Sequence, residues 1–357
     1  MKITAQKIIH VDMDCFYAAI EMRDKPQFSD KALAVGGRPE GRGVIATCNY
    51  KARKFGVHSA LSSREAVKRC PDLVILPPRF SLYKEESKKI REIFKRYTDL
   101  IEPLSLDEAY LDVTECSQFN GSATLIAQEI RKNIFDELQL TASAGIANSK
   151  FLAKIASDWK KPNGQFTIKP EEISNFVATL PIEKIHGVGK ATQKKMHKLN
   201  IFTCNDLQEK DKFYLIRHFG KWGERLYDLS RGIDNRKVTT DRIRKSLSVE
   251  RTFSYDLEDW EQIENKMDDI YEEFIFRWKK NNLSGENIKS IQVKLRYDNF
   301  ESITRETQIH ELPLYDFCVD FLKKAYYENS RPIRLIGLGV KLKVKESKEN
   351  KNQLPLF

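Results

Sequence analysis

The chain has 357 residues, of which 41% are hydrophobic, and it carries a net charge of +10 at neutral pH. This length exceeds what one compact core usually supports, so we expect two or more domains. The basic charge favours a polyanionic partner such as nucleic acid, because phosphates attract Lys and Arg. No apolar stretch reaches the roughly 18 residues of a membrane span, and the N-terminus lacks a signal-peptide core. We therefore expect neither membrane insertion nor secretion.

The six cysteines are scattered along the chain without any C-x-x-C pair. This spacing argues against both a zinc ribbon and a disulfide framework. We therefore expect reduced thiols and a cytoplasmic protein.

An apolar β-type run at 7–11 leads directly into a helical pattern at 16–22. Asp12 and Asp14 therefore lie at a strand-to-helix junction. Carboxylates at the end of a strand cost folding energy unless a cation lies between them, and paired divalent metals are the usual cation. This junction is thus a candidate metal site.

A second acidic pair, Asp107 and Glu108, lies far along the chain between two apolar runs. The runs, at 104–106 and 109–113, have the length of short strands, which predicts a hairpin with the acids at its tip. Both acidic pairs are thus expected at the ends of strands.

The elements of the first half follow the order strand, helix, hairpin, helix, strand. This order is typical of a split βαβ sheet of the ferredoxin-like type, with residues 23–72 inserted as a small extra module. Such a sheet places its first strand beside its hairpin. We therefore expect Asp12 and Asp107 to meet in space despite their separation in sequence.

The segment after Pro162-Asn163-Gly164 changes character and contains a helix-hairpin-helix pattern at 185–190. Gly187 and Gly189 let its turn approach a DNA phosphate, and amide groups at the following helix N-terminus serve as donors. Together with the neighbouring Lys190, this turn is expected to bind the DNA backbone without base-specific contacts.

From about residue 242 the chain enters a further unit with four strand signals and a strongly acidic helix. A charge run is usually a solvated face, and we interpret the acidic helix in this way. The strands carry basic residues, so we expect one sheet face to meet a phosphate backbone. The predicted DNA contacts on these strands are Lys289, Lys294, Arg296, Arg334 and Lys341.

Four segments of the chain resemble the signature blocks of Y-family translesion DNA polymerases, most closely those of the bacterial polymerase IV group. These segments are D-M-D-C-F-Y at 12–17, A-T-C-N-Y-K-A-R at 46–53, S-L-D-E-A-Y-L-D at 105–112 and K-P-N-G at 161–164. The resemblance runs in order along nearly the whole chain.

The resemblance implies an α+β, multidomain fold. We expect a ferredoxin-like palm, a small fingers insertion, a helical thumb with the helix-hairpin-helix, and a C-terminal α/β sheet domain called the little finger. The expected boundaries are 1–22 and 73–167 for the palm, 23–72 for the fingers, 168–240 for the thumb, 241–344 for the little finger and 345–357 for a flexible tail.

The resemblance also implies the catalytic residues. Asp12 and Asp107 match the family's metal ligands, together with the backbone carbonyl of Met13, and Glu108 matches the third catalytic acid and a further ligand. Carboxylate oxygens suit two Mg²⁺ ions, one lowering the pKa of the primer 3′-hydroxyl and the other holding the triphosphate. The alternative interpretation is that these acids are surface loop residues. Asp14 is left out of the metal set, because the onset of the helix can turn it away.

Four further residues match the family's nucleotide contacts. Tyr17 lies at the position of the steric gate, an aromatic ring whose volume excludes a 2′-hydroxyl, although plain core packing is the alternative. Tyr50, Arg53 and Lys161 match the triphosphate-binding set, since Arg offers a planar fork and Lys a point charge to phosphate oxygens. Any one of the basic residues alone would be interpreted as a surface charge.

The last residues form a separate signal. The segment 345–352 is polar and charged, which predicts a mobile tether. The peptide after it resembles the one by which bacterial polymerases bind the sliding clamp, a hydrophobic plug with a Gln at the pocket rim. Pro355 departs from the commonest forms of that peptide. The residues that match it are Gln353, Leu354, Leu356 and Phe357.

The predicted function is therefore low-fidelity, template-directed DNA synthesis on a primer from deoxynucleoside triphosphates, by a monomeric enzyme. Once the domains are placed, no room remains for a proofreading exonuclease, so errors would persist. Two alternatives stay open. A nucleotidyl cyclase would use the acids without needing DNA-binding surfaces, and a non-catalytic DNA-binding scaffold would keep the basic surfaces without needing the acids.

Overall fold

The computed structural model describes residues 6–241 and 243–343, and this part of the chain divides into two units. The first unit comprises residues 6–37 and 44–241, and the second comprises residues 38–43 and 243–343. Both contain strands and helices, which confirms the predicted α+β class.

The first unit combines short strands with helices of varied length. Its strands are β1 (Ile8–Met13), β2 (Leu33–Gly36), β3 (Ile45–Cys48), β4 (Val74–Leu76), β5 (Ile101–Pro103), β6 (Glu108–Asp112), β7 (Ala142–Ala147) and β8 (Gln165–Thr167). Its helices are α1 (Phe16–Asp24), α2 (Tyr50–Arg53), α3 (Ser63–Arg69), α4 (Phe80–Lys95), α5 (Ala123–Leu138), α6 (Lys150–Trp159), α7 (Ile173–Ala178), α8 (Lys190–Lys198), α9 (Cys204–Gln208), α10 (Lys212–Phe219) and α11 (Lys221–Leu229). Short 3₁₀ turns lie at Pro26–Phe28, Gln118–Gly121, Pro170–Glu172 and Ile182–Lys184.

Five of these strands form one sheet in the order β5-β6-β1-β7-β8. β1 is antiparallel to β6 on one side and to β7 on the other. The predicted split βαβ arrangement is thereby confirmed, with the first strand beside the hairpin.

The hairpin begins earlier than predicted. Its first strand is β5, and residues 104–107 form the connecting loop rather than a strand. The backbone amide of Leu104 donates to the carbonyl of Glu108 at 3.0 Å, which closes this loop. Leu104 and Leu106 have the spacing of a strand, but the bond between Leu104 and Glu108 leaves only residues 105–107 for the turn. Asp107 therefore lies in the loop, and Glu108 is the first residue of β6.

Side-chain alternation along β1 distributes its residues between the two faces of the sheet. Ile9 and Val11 are buried in a core that α4 and α5 also supply. Ile8 is buried in a different core, together with residues of α6. His10 and Asp12 follow Ile8 at intervals of two, so they share the face that α6 covers.

A smaller sheet has the order β3-β2-β4 and a separate core that includes Ala34, Ile45 and Ala52. β2 is antiparallel to β3 and parallel to β4. Residues 74–76 fall inside the boundary predicted for the palm, yet as β4 they complete this smaller sheet.

Helices α7 to α11 form the helical part of the first unit, around a core that includes Leu207, Leu215 and Leu226. The turn before α8 carries Gly187 and Gly189, and α8 begins at Lys190. A helical segment with a helix-hairpin-helix turn is the arrangement that the sequence predicts for the thumb.

The second unit is a sheet covered by helices on one face. Its strands are β9 (Ser246–Leu257), β10 (Ile288–Tyr297), β11 (Ser302–Gln308) and β12 (Ile333–Leu342), its helices are α12 (Trp260–Glu264), α13 (Met267–Lys280) and α14 (Tyr315–Tyr327), and a 3₁₀ turn lies at Gly285–Asn287. The sheet is antiparallel in the order β11-β10-β12-β9. Phe274 and Leu322 pack from the helices into its core. Across the described ranges of both units, no helix is long and apolar enough to cross a membrane.

Candidate active site

The two acidic segments meet at the end of β1, as predicted. The backbone amide of Met13 donates to the carbonyl of Asp107 at 2.9 Å. One residue earlier, Asp12 is the antiparallel partner of Glu108. Residues nearly a hundred positions apart in sequence are therefore neighbours across two paired strands.

The carboxylates of Asp12 and Glu108 share the sheet face that α6 covers. Ligand atoms of His10, Asp12 and Glu108 all lie within 4.8 Å of one another. Asp107 lies at the end of the loop, where its side chain accepts a hydrogen bond from the hydroxyl of Ser105. We call Asp12, Asp107 and Glu108 the acid cluster.

The electrostatics of the acid cluster favour a bound cation. Burial, together with the negative charges of Asp107 and Glu108, raises the pKa of Asp12 to about 6. The ammonium group of Lys161 opposes this rise, because it lies 2.6 Å from an oxygen of Asp12. Crowded carboxylate oxygens are the donor set that Mg²⁺ prefers, so the residues present fit a divalent metal.

Glu108 is held by two partners on the same oxygen. Its Oε2 lies 3.0 Å from Nε2 of His10 and also contacts the ammonium group of Lys154 on α6. Burial would raise the pKa of Glu108, but the hydrogen bonds from His10 and Lys154 outweigh burial and lower it to about 2. Glu108 is therefore ionised at neutral pH, with one oxygen committed to protein donors.

His10 is fully buried, and burial lowers its pKa to about 4. The imidazole is thus uncharged at neutral pH and carries one proton. Because Glu108 can only accept, that proton is assigned to Nε2, and Nδ1 lies 2.8 Å from the hydroxyl of Ser157. Ser157 and Lys154 lie three residues apart on α6 and so support Glu108 from one helix face.

The sequence interpretation missed His10, Lys154 and Ser157. A signal for His10 was present, because it lies two residues before Asp12 in a strand and therefore on the same face. Lys154 and Ser157 offered no comparable signal, since their contacts depend on how α6 packs on the sheet.

Tyr17 lies in the first turn of α1, within an aromatic group. Its ring stacks on Tyr83 with the centroids 4.3 Å apart, and Phe80 approaches edge-on at 5.9 Å. The Tyr17 side chain is only partly buried, and burial together with the charge of Asp107 raises its pKa. Tyr17 is therefore a firmly supported ring beside the acid cluster, as a steric gate requires.

Two of the three predicted triphosphate contacts lie together on α2. The Arg53 guanidinium is exposed and lies 4.6 Å from the centre of the Tyr50 ring. The third, Lys161, lies in the acid cluster against Asp12. The Tyr50 hydroxyl donates to Asp14 at 3.2 Å.

Asp14 has no part in the acid cluster. It stays on the same sheet face as Asp12 but points toward β7, whereas Glu108 lies toward β6. Its oxygens accept from protein donors on three different segments. Leaving Asp14 out of the metal set agrees with this arrangement.

The helix-hairpin-helix turn is exposed at Gly187, Gly189 and Lys190. Gly187 has a φ of +104°, and a Cβ there would lie 2.8 Å from the ring of Trp222. A Cβ at Gly189 would meet nothing within 4 Å. The turn thus has the open backbone that the predicted phosphate contact needs, and Gly187 also meets a packing requirement.

The predicted DNA contacts of the second unit are partly paired with acids. Lys294 lies 2.9 Å from Glu250, and Lys341 lies 2.6 Å from Glu306. These two acids are on β9 and β11, so the sheet carries both signs of charge and is less uniformly basic than predicted. Among the remaining contacts, Lys289 is exposed, Arg296 donates to Ser302 at 2.9 Å and Arg334 lies 4.4 Å from the centre of the Phe300 ring.

The predicted clamp peptide, from Gln353 to Phe357, lies outside the described residues.

Family comparisons agree with the fold. Residues 11–158 match the model of the impB/mucB/samB family, and residues 244–356 match the C-terminal domain of that family. Residues 183–234 match a DNA polymerase-iota thumb domain. The three matches follow the order of palm, thumb and little finger.

Relatives and solved structures resemble the chain over nearly its whole length. DNA polymerase IV of Actinobacillus pleuropneumoniae serotype 3 is 50% identical over 98% of this chain and 99% of its own. A Y-family DNA polymerase chimera of Dbh and Dpo4 superposes with a TM-score of 0.84 at 27% identity, covering 94% of this chain and 98% of its own. An insertion ternary complex of Dbh DNA polymerase gives a TM-score of 0.63 at 27% identity, covering 95% of this chain and 99% of its own.

Proposed function

Because the chain belongs to the impB/mucB/samB family of Y-family DNA polymerases, and is thus a DNA-directed DNA polymerase, we propose that it extends a primer by two-metal phosphoryl transfer at the acid cluster. The observation that carries the proposal is the pairing of β1 with β6, which sets Asp12 beside Glu108, together with the bond from the Met13 amide to the Asp107 carbonyl. A cluster of carboxylates beside an aromatic gate and a group of basic residues supports nucleotide chemistry.

Asp12, Asp107, Glu108 and the backbone carbonyl of Met13 would hold two Mg²⁺ ions. When bound, the ions lower the pKa of the primer 3′-hydroxyl and neutralise charge on the triphosphate. The chain's own part is to keep the carboxylates ionised and oriented. His10 and Lys154 do this for Glu108 through Oε2, which leaves Oε1 for the cation.

The incoming deoxynucleoside triphosphate would lie between the gate and the basic residues. The volume of the Tyr17 ring would exclude a 2′-hydroxyl, and its stacking on Tyr83 holds the ring in place. Arg53 and Lys161 offer donors to phosphate oxygens and offset the charge that grows on the pyrophosphate as it leaves. The Tyr50 ring packs against the Arg53 guanidinium.

Primer-template DNA would bind through backbone phosphates. The turn at Gly187 and Gly189, followed by the N-terminus of α8, is suited to a phosphate, and Lys289 and Arg296 on β10 offer further cations. Such contacts do not depend on sequence, which suits low-fidelity synthesis opposite damaged templates without proofreading. A cytoplasmic monomer that binds the sliding clamp through residues 353–357 completes the proposal.

Primer extension with Mg²⁺ tests the proposal. We expect the wild type to extend a primer along a template, and Asp107→Ala to lower the rate at least about 100-fold, because it removes charge stabilisation at the reacting phosphate. Asp136→Ala, at an exposed position on α5, serves as the matched control and should match the wild type. Wild-type product that equals the Asp107→Ala product would contradict the role of the cluster.

The same preparation separates the alternatives. Nucleoside triphosphates without DNA should give no product, whereas a nucleotidyl cyclase would convert them. DNA binding without any extension by the wild type would support the non-catalytic scaffold instead.

A further inference from the structure

Asp14 is a buried carboxylate with no assigned role, and only 2% of it is exposed. It follows β1 directly, and its backbone amide donates to the carbonyl of Thr141 at 3.0 Å. A buried charge is unfavourable unless hydrogen bonds or an opposite charge compensate it. The identity of the groups that compensate Asp14 therefore indicates what the carboxylate is for.

Three donors from three segments bind the Asp14 side chain. Oδ1 accepts from the hydroxyl of Ser143 on β7 at 2.8 Å and from the hydroxyl of Tyr50 on α2 at 3.2 Å. Oδ2 accepts from the backbone amide of Asn163 at 2.7 Å. The carboxylate thus joins the smaller sheet's helix α2, the central sheet and the turn that follows α6.

One of these donors is a proposed triphosphate contact, and another lies close to one in the sequence. Tyr50 is the contact itself, and Asn163 lies two residues after Lys161. The turn at Asn163 is also held from its other side by Arg131, whose Nη2 donates to the Asn163 side-chain oxygen at 2.7 Å. The backbone that carries Lys161 is therefore fixed between a buried acid and a guanidinium.

The bond from Tyr50 also acts on Arg53. A phenol has one proton, and in this structure the proton of Tyr50 is donated to Asp14. That bond anchors the hydroxyl end of the Tyr50 side chain, and the ring in turn supports the Arg53 guanidinium at 4.6 Å. Loss of the Asp14 acceptor would allow the Tyr50 ring to move, and the Arg53 guanidinium would lose its support.

We propose that Asp14 is a positioning residue that orients Tyr50, Arg53 and Lys161 for the triphosphate of the incoming nucleotide. This inference rests on the proposed function, because it assigns a role within the same site. The expected effect is mainly on nucleotide binding and reaches the chemical step only through Arg53 and Lys161, since the Asp14 side chain forms no hydrogen bond with a member of the acid cluster in the described residues.

The test is single-turnover incorporation measured over a range of nucleotide concentrations with Asp14→Asn. The amide keeps the size of the side chain but replaces one acceptor oxygen with a donor. We expect the nucleotide Kd to rise about tenfold, the equivalent of about one hydrogen bond to a charged group, while the maximal rate stays within about threefold of wild type. Asp136→Asn, an exposed Asp on α5, should change neither value.

A second measurement removes chemistry altogether. A dideoxy-terminated primer-template cannot react, so nucleotide binding to its complex with the protein reports affinity alone. Asp14→Asn should weaken this binding about tenfold as well, and Tyr50→Phe, which keeps the ring but removes the donor, should weaken it less. In the double variant the two effects should add incompletely, because both act on the contact between Asp14 and Tyr50.

Some outcomes would overturn the inference. An Asp14→Asn protein that binds the nucleotide as tightly as wild type, or that loses maximal rate with its nucleotide Kd unchanged, would contradict a positioning role. If a thermal melt shows that Asp14→Asn does not fold, Ser143→Ala and Tyr50→Phe replace it in the test. Unchanged nucleotide affinity in both of these variants would reject the positioning role of Asp14. Failure of the wild type to extend a primer would instead overturn the proposed function.

Discussion

The acid cluster at the end of β1 and the outer face of the second unit's sheet are both charged, but their charges are arranged differently. Asp12, Asp107 and Glu108 gather like charges in a partly buried place, where burial and mutual repulsion raise the pKa of Asp12 to about 6. On the sheet, Lys294 faces Glu250 and other pairs repeat this pattern in contact with solvent. Crowding of like charges that the nearby lysines do not fully offset, rather than the number of charges, therefore indicates where a cationic ligand would bind.

The two regions also differ in how firmly their residues are held. Glu108 is oriented by His10 and Lys154, and Tyr17 is stacked on Tyr83. Exposed ion pairs such as those on the sheet contribute about 0–1 kcal/mol each and rearrange easily. Substitutions in the first region should therefore change selectivity or rate sharply, whereas those on the sheet should change DNA affinity slightly.

The largest effect is expected at the steric gate. Tyr17→Ala removes the ring that a 2′-hydroxyl would strike, so discrimination against ribonucleotides should fall about 100-fold. Single-nucleotide insertion with matched ribo- and deoxyribonucleotides measures this ratio. Tyr17→Phe keeps the ring and should keep the discrimination. An unchanged ratio in Tyr17→Ala would mean that the ring is simply part of the core.

A smaller effect is expected from Lys154, which orients Glu108. Lys154→Met should lower the maximal rate of incorporation about tenfold, since one charge-assisted hydrogen bond to the carboxylate is lost. Lys154→Arg retains a cationic donor and should recover most of the rate. The affinity for primer-template DNA should change little in either variant.

The control for this variant is Lys132→Met, which removes an exposed lysine from α5. It should leave the rate unchanged. If Lys154→Arg is as slow as Lys154→Met, a positioning role through the hydrogen bond is wrong.

The smallest effect is expected on the sheet. Glu250→Gln releases Lys294 from its ion pair, so DNA binding should tighten about twofold at low salt and depend more steeply on salt. Fluorescence anisotropy across a salt series measures both quantities. Glu272→Gln on the exposed face of α13 changes net charge equally and should have less effect. Equal effects would show that only net charge matters and that Lys294 does not contact DNA.

Sequence reasoning predicted the acid cluster because two simple rules combine there. The period of two along β1 places Asp12 on a defined face, and the split βαβ order places β6 beside β1. The bounds of the hairpin were less predictable. The spacing of Leu104 and Leu106 is that of a strand, whereas in the structure a backbone bond closes a loop at these residues.

The contacts of single side chains across the fold were not predictable. Lys154 reaches Glu108 only because α6 packs on one sheet face at one rotation. Lys294 and Glu250 meet through the register of β10, β12 and β9, which the residue pattern leaves undetermined. Asp14 was ambiguous for a similar reason, since a strand and a helix meet at this residue.

Lys161 gives the acid cluster a counter-ion of its own, which would couple the binding of a metal ion to the binding of the nucleotide. Because its ammonium group already neutralises Asp12, a divalent ion bound as proposed would have to displace the lysine from Asp12. The displaced ammonium group would then be available to a phosphate. Ion and nucleotide should therefore promote each other's binding, and thermodynamic reciprocity requires the enhancement to be the same whichever arrives first.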